Sequence, residues 1–489
     1  MEGVYLPPFL FGDLMLTEEQ QHVVDEVLSN DERIITVNSI AGSGKTSTGE
    51  AVIKAFKPKY GFYTAFNKAI INDSAKKFGS LLECRTIHSL AYNVVKPSTN
   101  IENLHYLTIK EPISYEEKSL VIDTIDGFYR SASTDIETYA ATHIDNEDLQ
   151  YLVVQYANMM LEGKIPPTFN FLLKILHLML LDKEIELDYD LLILDECQDT
   201  TAVTLEIFKL INAKRKIMFG DKFQNIYSFM NTVNAFEELE DTNELKLTKS
   251  FRCTPSIASR VQVYGTQFLD SNFIYEGNKR LISNKDDIAY ISRTNASLIK
   301  RMMKLLDEGK GFVLTRDLNE IFAFAIALQN ASEGKPVFDK RYKYLQVEYK
   351  KYLDLKSKYR DYFDYIKRVL PEEKGLSSTC DILFNLKNRR TNIYQLKEQI
   401  ENVRHDSNII VTTAHTFKGL EADSVYIEDD LNSDIKDAHD TIIDHKMIYE
   451  GNIEDIRKYL GKGTREELNL YYVALTRAKT KLYNVKYLI

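Results

Sequence analysis

Tryptophan is absent from the 489 residues, and cysteine occurs only four times. Cys84, Cys197, Cys253 and Cys380 are scattered, with no CxxC pair and no histidines at zinc spacing, which excludes a disulfide framework or a zinc module and fits a reducing cytoplasm. No apolar run approaches the ~20 residues that a membrane-spanning helix needs. Internal repeats and low-complexity linkers are missing too, which excludes a solenoid. An excess of basic residues is also lacking. The formal net charge of -10 argues against indiscriminate coating of nucleic acid, although it leaves room for a narrow basic channel. Residues 1–11 are apolar but carry Glu2, Pro7 and Pro8, without a basic region or a small-residue cleavage site, so they read as mature sequence. The lack of tryptophan, with abundant Lys, Asn, Ile and Tyr, is compatible with an AT-rich bacterial or phage genome; the expected location is the cytoplasm of a bacterial or phage-infected cell.

What is present is an ordinary globular composition, 44% hydrophobic and 27% charged. The length exceeds what one core supports and implies two to four domains. Short β-rich runs alternate with amphipathic helical stretches, the pattern of a parallel sheet covered by helices. Strands are expected at 33–38, 59–65, 191–194, 216–219 and 244–247, with a helix from Lys45. A second series places strands at 288–292, 409–413, 424–427 and 481–487. Between 92 and 190, and again between 318 and 405, the sequence turns mostly helical, as inserted subdomains would.

The second insertion interleaves Lys340, Arg341, Lys343, Lys350, Lys351, Lys356, Lys358 and Arg360 with tyrosines. Basic residues among aromatics can bind single strands through phosphate contacts and base stacking. Against that, Leu345, Tyr349, Tyr352, Tyr359, Phe363 and Ile366 recur at helical spacing, which reads as core.

Two constellations carry chemistry. Ala41-Gly42-Ser43-Gly44-Lys45-Thr46 follows a buried strand and opens a helix, the context a phosphate-binding loop requires. Its glycines let backbone N–H groups approach phosphates, Lys45 supplies a positive charge to the β- and γ-phosphates, and the Thr46 hydroxyl suits magnesium. Ser39 stands where the general pattern has its first glycine. The apolar run Leu191-Leu192-Ile193-Leu194 then delivers Asp195 and Glu196 to the carboxyl end of a strand, where open α/β sheets bind ligands. Asp195 is the expected magnesium partner, and Glu196 the candidate base for an attacking water. A solvated acidic turn is the alternative for these carboxylates.

Asp195-Glu196-Cys197-Gln198-Asp199 resembles motif II of superfamily 1 helicases of the UvrD/Rep/PcrA kind. Other blocks resembling that family follow in order. Leu16-Thr17-Glu18-Glu19-Gln20 resembles the Q motif, implying that Gln20 reads adenine. Thr64-Ala65-Phe66-Asn67-Lys68-Ala69 and Thr86-Ile87-His88-Ser89-Leu90-Ala91 resemble motifs Ia and Ib, which implies DNA contacts from Phe66, Asn67, Thr86 and His88. Gly220-Asp221-Lys222-Phe223-Gln224-Asn225-Ile226-Tyr227-Ser228-Phe229 resembles motif III, with Gln224 linking nucleotide state to DNA and Tyr227 and Phe229 candidates for base stacking; cleft-wall packing is the other reading of those two rings. The family has Trp then Arg where this sequence has Phe229 and Met230, so the arginine's role does not carry over. Leu247-Thr248-Lys249-Ser250-Phe251-Arg252 resembles motif IV, implying that Phe251 stacks on adenine and Arg252 meets the γ-phosphate. Thr413-Ala414-His415-Thr416-Phe417-Lys418-Gly419-Leu420-Glu421 resembles motif V, with Glu421 near ribose and Thr413 and His415 toward DNA. The segment from Glu466 to Ala478 resembles motif VI, with Arg477 as arginine finger. The wording lies closest to the F-box DNA helicase branch, without an F-box.

The resemblance covers roughly 16–96, 190–295 and 408–488, and implies an α/β protein with two RecA-like P-loop motor domains, each carrying a mostly helical insertion. The expected boundaries are 1–96 with 190–255 for the first motor domain, 97–189 for its insertion, 256–317 with 406–489 for the second, and 318–405 for a further insertion. It implies ATP and Mg²⁺ as cofactors, and single-stranded DNA and single-strand/duplex junctions as partners. A monomeric motor without membrane contact is expected, moving 3′ to 5′ and unwinding duplexes in replication, repair or recombination. The alternatives are a translocase that strips recombinase or single-strand-binding proteins from DNA, and a nonmotor, nucleotide-gated clamp.

Overall fold

Strands buried on both faces need an apolar residue at every position, and the run at Leu191–Leu194 meets that demand. In the computed structural model, which describes residues 16–29, 34–65, 67–104, 107, 109–227, 231–239, 243–281, 285–403, 407–449 and 453–486, this run is the centre of a strand. Leu191 and Ile193 face one core with Ile35, Val37 and Phe219, while Leu192 and Leu194 face another with Phe62 and Met218. That is the two-residue alternation of an extended chain.

The chain divides into two units, Met1–Lys249 and Ser250–Ile489. In the first, the described strands are β1 (Ile34–Ser39), β2 (Gly61–Ala65), β3 (Glu83–Cys84), β4 (Asp188–Asp195), β5 (Thr200–Thr201), β6 (Asn212–Gly220), β7 (Thr232–Val233) and β8 (Asn243–Leu247). Six of them form a parallel sheet ordered β3-β2-β4-β6-β1-β8, and β5 pairs antiparallel with β7. Only β6 separates β1 from β4, so the segments leaving β1, β4 and β6 emerge side by side at the carboxyl edge.

Helices Tyr115–Arg130, Ile136–His143, Glu147–Leu161 and Phe169–Leu181 fill the first insertion. Ser114, Asp135, Asn146 and Thr168 cap their amino ends through side-chain oxygens, which explains where each begins. Their apolar faces share one core with Phe62, Leu192 and Leu194 of the sheet. The insertion is therefore packed as part of the first unit.

In the second unit β9 (Ile288–Ser292), β10 (Val313–Leu314), β11 (Ile409–Thr413), β12 (Ala422–Ile427) and β13 (Ala478–Tyr483) form a parallel sheet ordered β10-β11-β9-β12-β13. Helices between 318 and 401 share a core with helix Asn295–Asp307 and Val411 of β11. Here the two readings of the basic, tyrosine-rich segment separate. Leu345, Tyr352, Tyr362, Tyr365 and Ile366 are buried in that core, with Tyr349, Tyr359 and Phe363 packed against it, while Lys343, Lys350, Lys351 and Lys358 are exposed. The rings turn inward, so the aromatic content is structural.

Several expected boundaries move. The strand expected at 59–65 starts at Gly61 because the Lys59 and Tyr60 N–H groups donate to Asp190 Oδ2. The last strand begins at Ala478 and ends at Tyr483, where Asn484 takes a left-handed φ of 54°; residue 487 lies outside the described residues. Residues 250–255, expected with the first domain, group with the second unit. Ser250 N–H donates to Glu276 O, and Thr254 N–H to Lys479 O. No helix among the described residues is long and apolar enough to cross a membrane.

Candidate functional site

The loop after β1 turns tightly because Gly42 and Gly44 adopt φ of 77° and 84°, a region costly for residues with a Cβ. Gly44 leads directly into helix Lys45–Phe56, so Lys45 and Thr46 occupy its first turn, where free N–H groups favour anions. Ala41 and Ser43 are buried, and the Ser43 hydroxyl meets no hydrogen-bond partner among the described residues. Gln20 is buried beside this loop: its amide donates to Ser43 O at 3.3 Å, and its Oε1 accepts the Thr17 N–H at 3.0 Å. It links the first helix, Glu18–Ser29, to the phosphate loop.

Lys45 Nζ meets Glu196 Oε1 at 2.8 Å. Burial works to lower the Lys45 pKa, but the Glu196 and Asp195 carboxylates outweigh it and hold the ammonium above its ordinary value. Asp195 ends β4, and burial, then the neighbouring Glu196 charge, push its pKa up, while Lys45 and Tyr63 pull it back. Glu196 itself sits at φ 51°, a left-handed conformation that costs about 1–2 kcal/mol for a residue with a Cβ. In this conformation the Glu196 carboxylate reaches Lys45.

Two residues that sequence reasoning left without a site role hold these acids. Tyr63 Oη donates to Asp195 Oδ2 at 2.5 Å. Gln198, fully buried, donates through Nε2 to Glu196 Oε2 at 2.6 Å and accepts the Asp221 N–H at 3.1 Å. A Cβ on Gly220 would lie 2.5 Å from Gln198 Oε1, so glycine at the end of β6 is what lets the amide reach that backbone. Gln224, the expected link, donates to Asp221 Oδ2 at 2.8 Å. Gln198 and Gln224 thus converge on Asp221.

A hydroxyl and one or two carboxylates are hard oxygen donors, which suits a magnesium ion that arrives with phosphates. Among the described residues no group of three or more His, Cys, Asp and Glu side chains could hold a metal alone. Thr46, in the first turn of the helix after the loop, and Asp195, at the end of β4, offer donors of this kind. The unpartnered Ser43 hydroxyl fits an anion cradle.

The expected DNA contacts of the first unit cluster at helix starts. Asn67 is exposed and caps helix Lys68–Phe78 by accepting the Ala69 N–H at 2.8 Å. Thr86 caps helix Ile87–Val95. His88 Nε2 donates to Asn170 Oδ1 at 3.1 Å; Asn170 donates to Asp126 Oδ1 at 2.7 Å, and Asp126 pairs with Arg130 at 2.6 Å. The insertion therefore holds this histidine. Burial, with help from Arg130, lowers the His88 pKa. Phe169, half exposed, stands edge-on to the imidazole at 6.2 Å between ring centroids. A cavity of about 30 Å³ is lined by Thr86 and His88 together with Asp195 and Glu196. Thr64 and Thr200 line it, and their buried hydroxyls meet no partner among the described residues. Tyr227 is half-buried, and its carbonyl accepts the Thr232 hydroxyl at 2.9 Å. Phe66 and Phe229 lie outside the described residues.

In the second unit, Arg252 Nε donates to Glu421 Oε2 at 2.8 Å, and Lys479, not anticipated from sequence, meets Glu421 Oε1 at 2.7 Å. Phe251 beside them is exposed. Arg477 is buried: Nε donates to Val473 O at 2.9 Å, NH1 to Leu420 O at 3.3 Å, and NH2 to Thr476 Oγ1 at 3.0 Å. The segments resembling motifs IV, V and VI thereby meet around Glu421. Thr413, buried at the end of β11, bonds to Thr416. His415 is held neutral, its pKa lowered to about 4 by burial and by the Arg293 guanidinium.

A family model described as the UvrD-like helicase C-terminal domain matches residues 28–487. The chain is 26% identical to F-box DNA helicase 1 of Gallus gallus over 525 aligned residues, covering 96% of this chain and 49% of that protein. It is 25% identical to F-box DNA helicase protein 1 of Schizosaccharomyces pombe, covering 96% of this chain and 57% of that one. The chain spans about half the length of these relatives.

Proposed function

Because the chain belongs to the UvrD-like helicases, we propose that it is an ATP-driven DNA motor that moves 3′ to 5′ along single-stranded DNA and separates duplexes. The observation that carries this reading is the 2.8 Å contact of Lys45 with Glu196, which joins a phosphate loop to an acid pair at one sheet edge. Both relatives are named as DNA helicases.

Lys45 and the loop N–H groups would hold the triphosphate, and Glu196 would orient the attacking water and accept its proton. A magnesium ion held by Thr46 and Asp195 would screen phosphate charge and help polarise the bond that breaks. Phe251 would stack on adenine, Glu421 would meet the ribose, and Arg252 and Arg477 would neutralise the γ-phosphate. Replacing an arginine in that last role typically costs ~10³ to 10⁵ in rate. Asn67, Thr86, His88, Thr413 and His415, at strand ends and helix starts, would hold a DNA backbone.

The test is phosphate release with and without single-stranded DNA, beside unwinding of duplexes with 3′ or 5′ tails. DNA-stimulated hydrolysis and unwinding from a 3′ tail are expected. Hydrolysis that ignores DNA would defeat the motor reading. Stimulated hydrolysis without unwinding of a bare fork would favour a translocase that clears protein from single strands.

A further inference from the structure

Strand β2 carries one polar aromatic among its buried residues. In the parallel register Ala65 lies opposite Asp195 and Tyr63 opposite Ile193, so Tyr63 and Asp195 share a face of the sheet. The Tyr63 ring is 3% exposed and tilts against Phe78, with 5.5 Å between centroids. Phenylalanine would fill that space equally well. The hydroxyl, however, has a defined job. It donates to Asp195 Oδ2 at 2.5 Å. A carboxylate only accepts, so the proton of this bond is the tyrosine's. The other carboxylate oxygen, Oδ1, accepts the Glu196 N–H at 2.9 Å. Each oxygen is thus pinned by one donor and keeps acceptor capacity for another partner, and the plane of the carboxylate is fixed from both sides.

We propose that Tyr63 is a positioning residue that sets the Asp195 carboxylate for the divalent cation accompanying a nucleotide's phosphates. This rests on the nucleotide-site reading above. Hydrogen-bond partners behind a metal-binding carboxylate typically matter by ~10- to 100-fold in metal affinity. Tyr63 is buried and its hydroxyl is engaged with Asp195, so binding of the nucleotide without metal should not depend on it.

The experiment uses the full chain and a fluorescent, slowly hydrolysed ATP analogue, bound first in EDTA and then across a Mn²⁺ titration, with thermal melting alongside. For Tyr63→Phe the expected result is unchanged affinity in EDTA, a melting temperature close to wild type, and half-saturating Mn²⁺ raised roughly tenfold or more. Superposable Mn²⁺ curves for wild type and Tyr63→Phe overturn the proposal. So does a loss in EDTA as large as the loss with Mn²⁺, which marks a packing role. If the wild type itself fails to bind the analogue, the nucleotide site falls, and the assignment of Tyr63 with it.

Discussion

At the level of single residues, the site is governed by charge held out of water. Lys45→Ala should abolish ATP hydrolysis while the chain stays folded, as read by phosphate release and circular dichroism; hydrolysis at the normal rate would remove the phosphate-loop assignment. Glu196→Gln should lower turnover by about 10² to 10⁴, the usual worth of a positioned base, with nucleotide binding preserved. His415 gives a pH signature. Its pKa is lowered to about 4 in the fold, against an ordinary value of 6.5. The folded form therefore resists a proton that the unfolded chain accepts, and the stability this site contributes is complete above about pH 6.5 and fades as the pH falls toward 4. Urea denaturation at pH 7 and pH 5 should show a smaller acid loss for His415→Gln than for wild type; equal losses would contradict the depressed pKa. At neutral pH this imidazole is uncharged.

At the level of elements, each described strand of five residues or more overlaps an expected run, although β4, β6 and β13 begin earlier than their apolar pattern does. The runs at 288–292 and 409–413 match β9 and β11 residue for residue. The two-residue pairings β3, β5, β7 and β10 are too short to show alternation and went unseen. The phosphate loop and acid pair were legible because each needs a particular order of residues next to a strand end. Tyr63 was not, because its role depends on the register between β2 and β4, which no local pattern encodes. Gln198 stood in a recognised motif, yet its partner Asp221 lies on another strand's exit. Asn170 was hidden for a similar reason, since the insertion had no recognisable motif. It sits just inside the helix capped by Thr168, holding His88. Asn170→Ala should reduce DNA stimulation of hydrolysis severalfold while basal hydrolysis stays near wild type; an equal fall in both would mean the link to Asp126 serves folding alone. Thr168→Ala should cost about 1 kcal/mol of stability through the lost cap, measurable by urea denaturation.

At the level of the whole molecule, the pattern of buried charge has a bearing on the reaction cycle. The lysine meant for a phosphate already carries a tenant, the Glu196 carboxylate. Under the reading proposed above, a nucleotide would enter as a rival anion for Lys45, and the swap would keep the ammonium neutralised. The displaced carboxylate would be free to take a proton from water only once a triphosphate had evicted it. The general base would thus be held in reserve until its substrate is seated, with no moving part larger than one side chain.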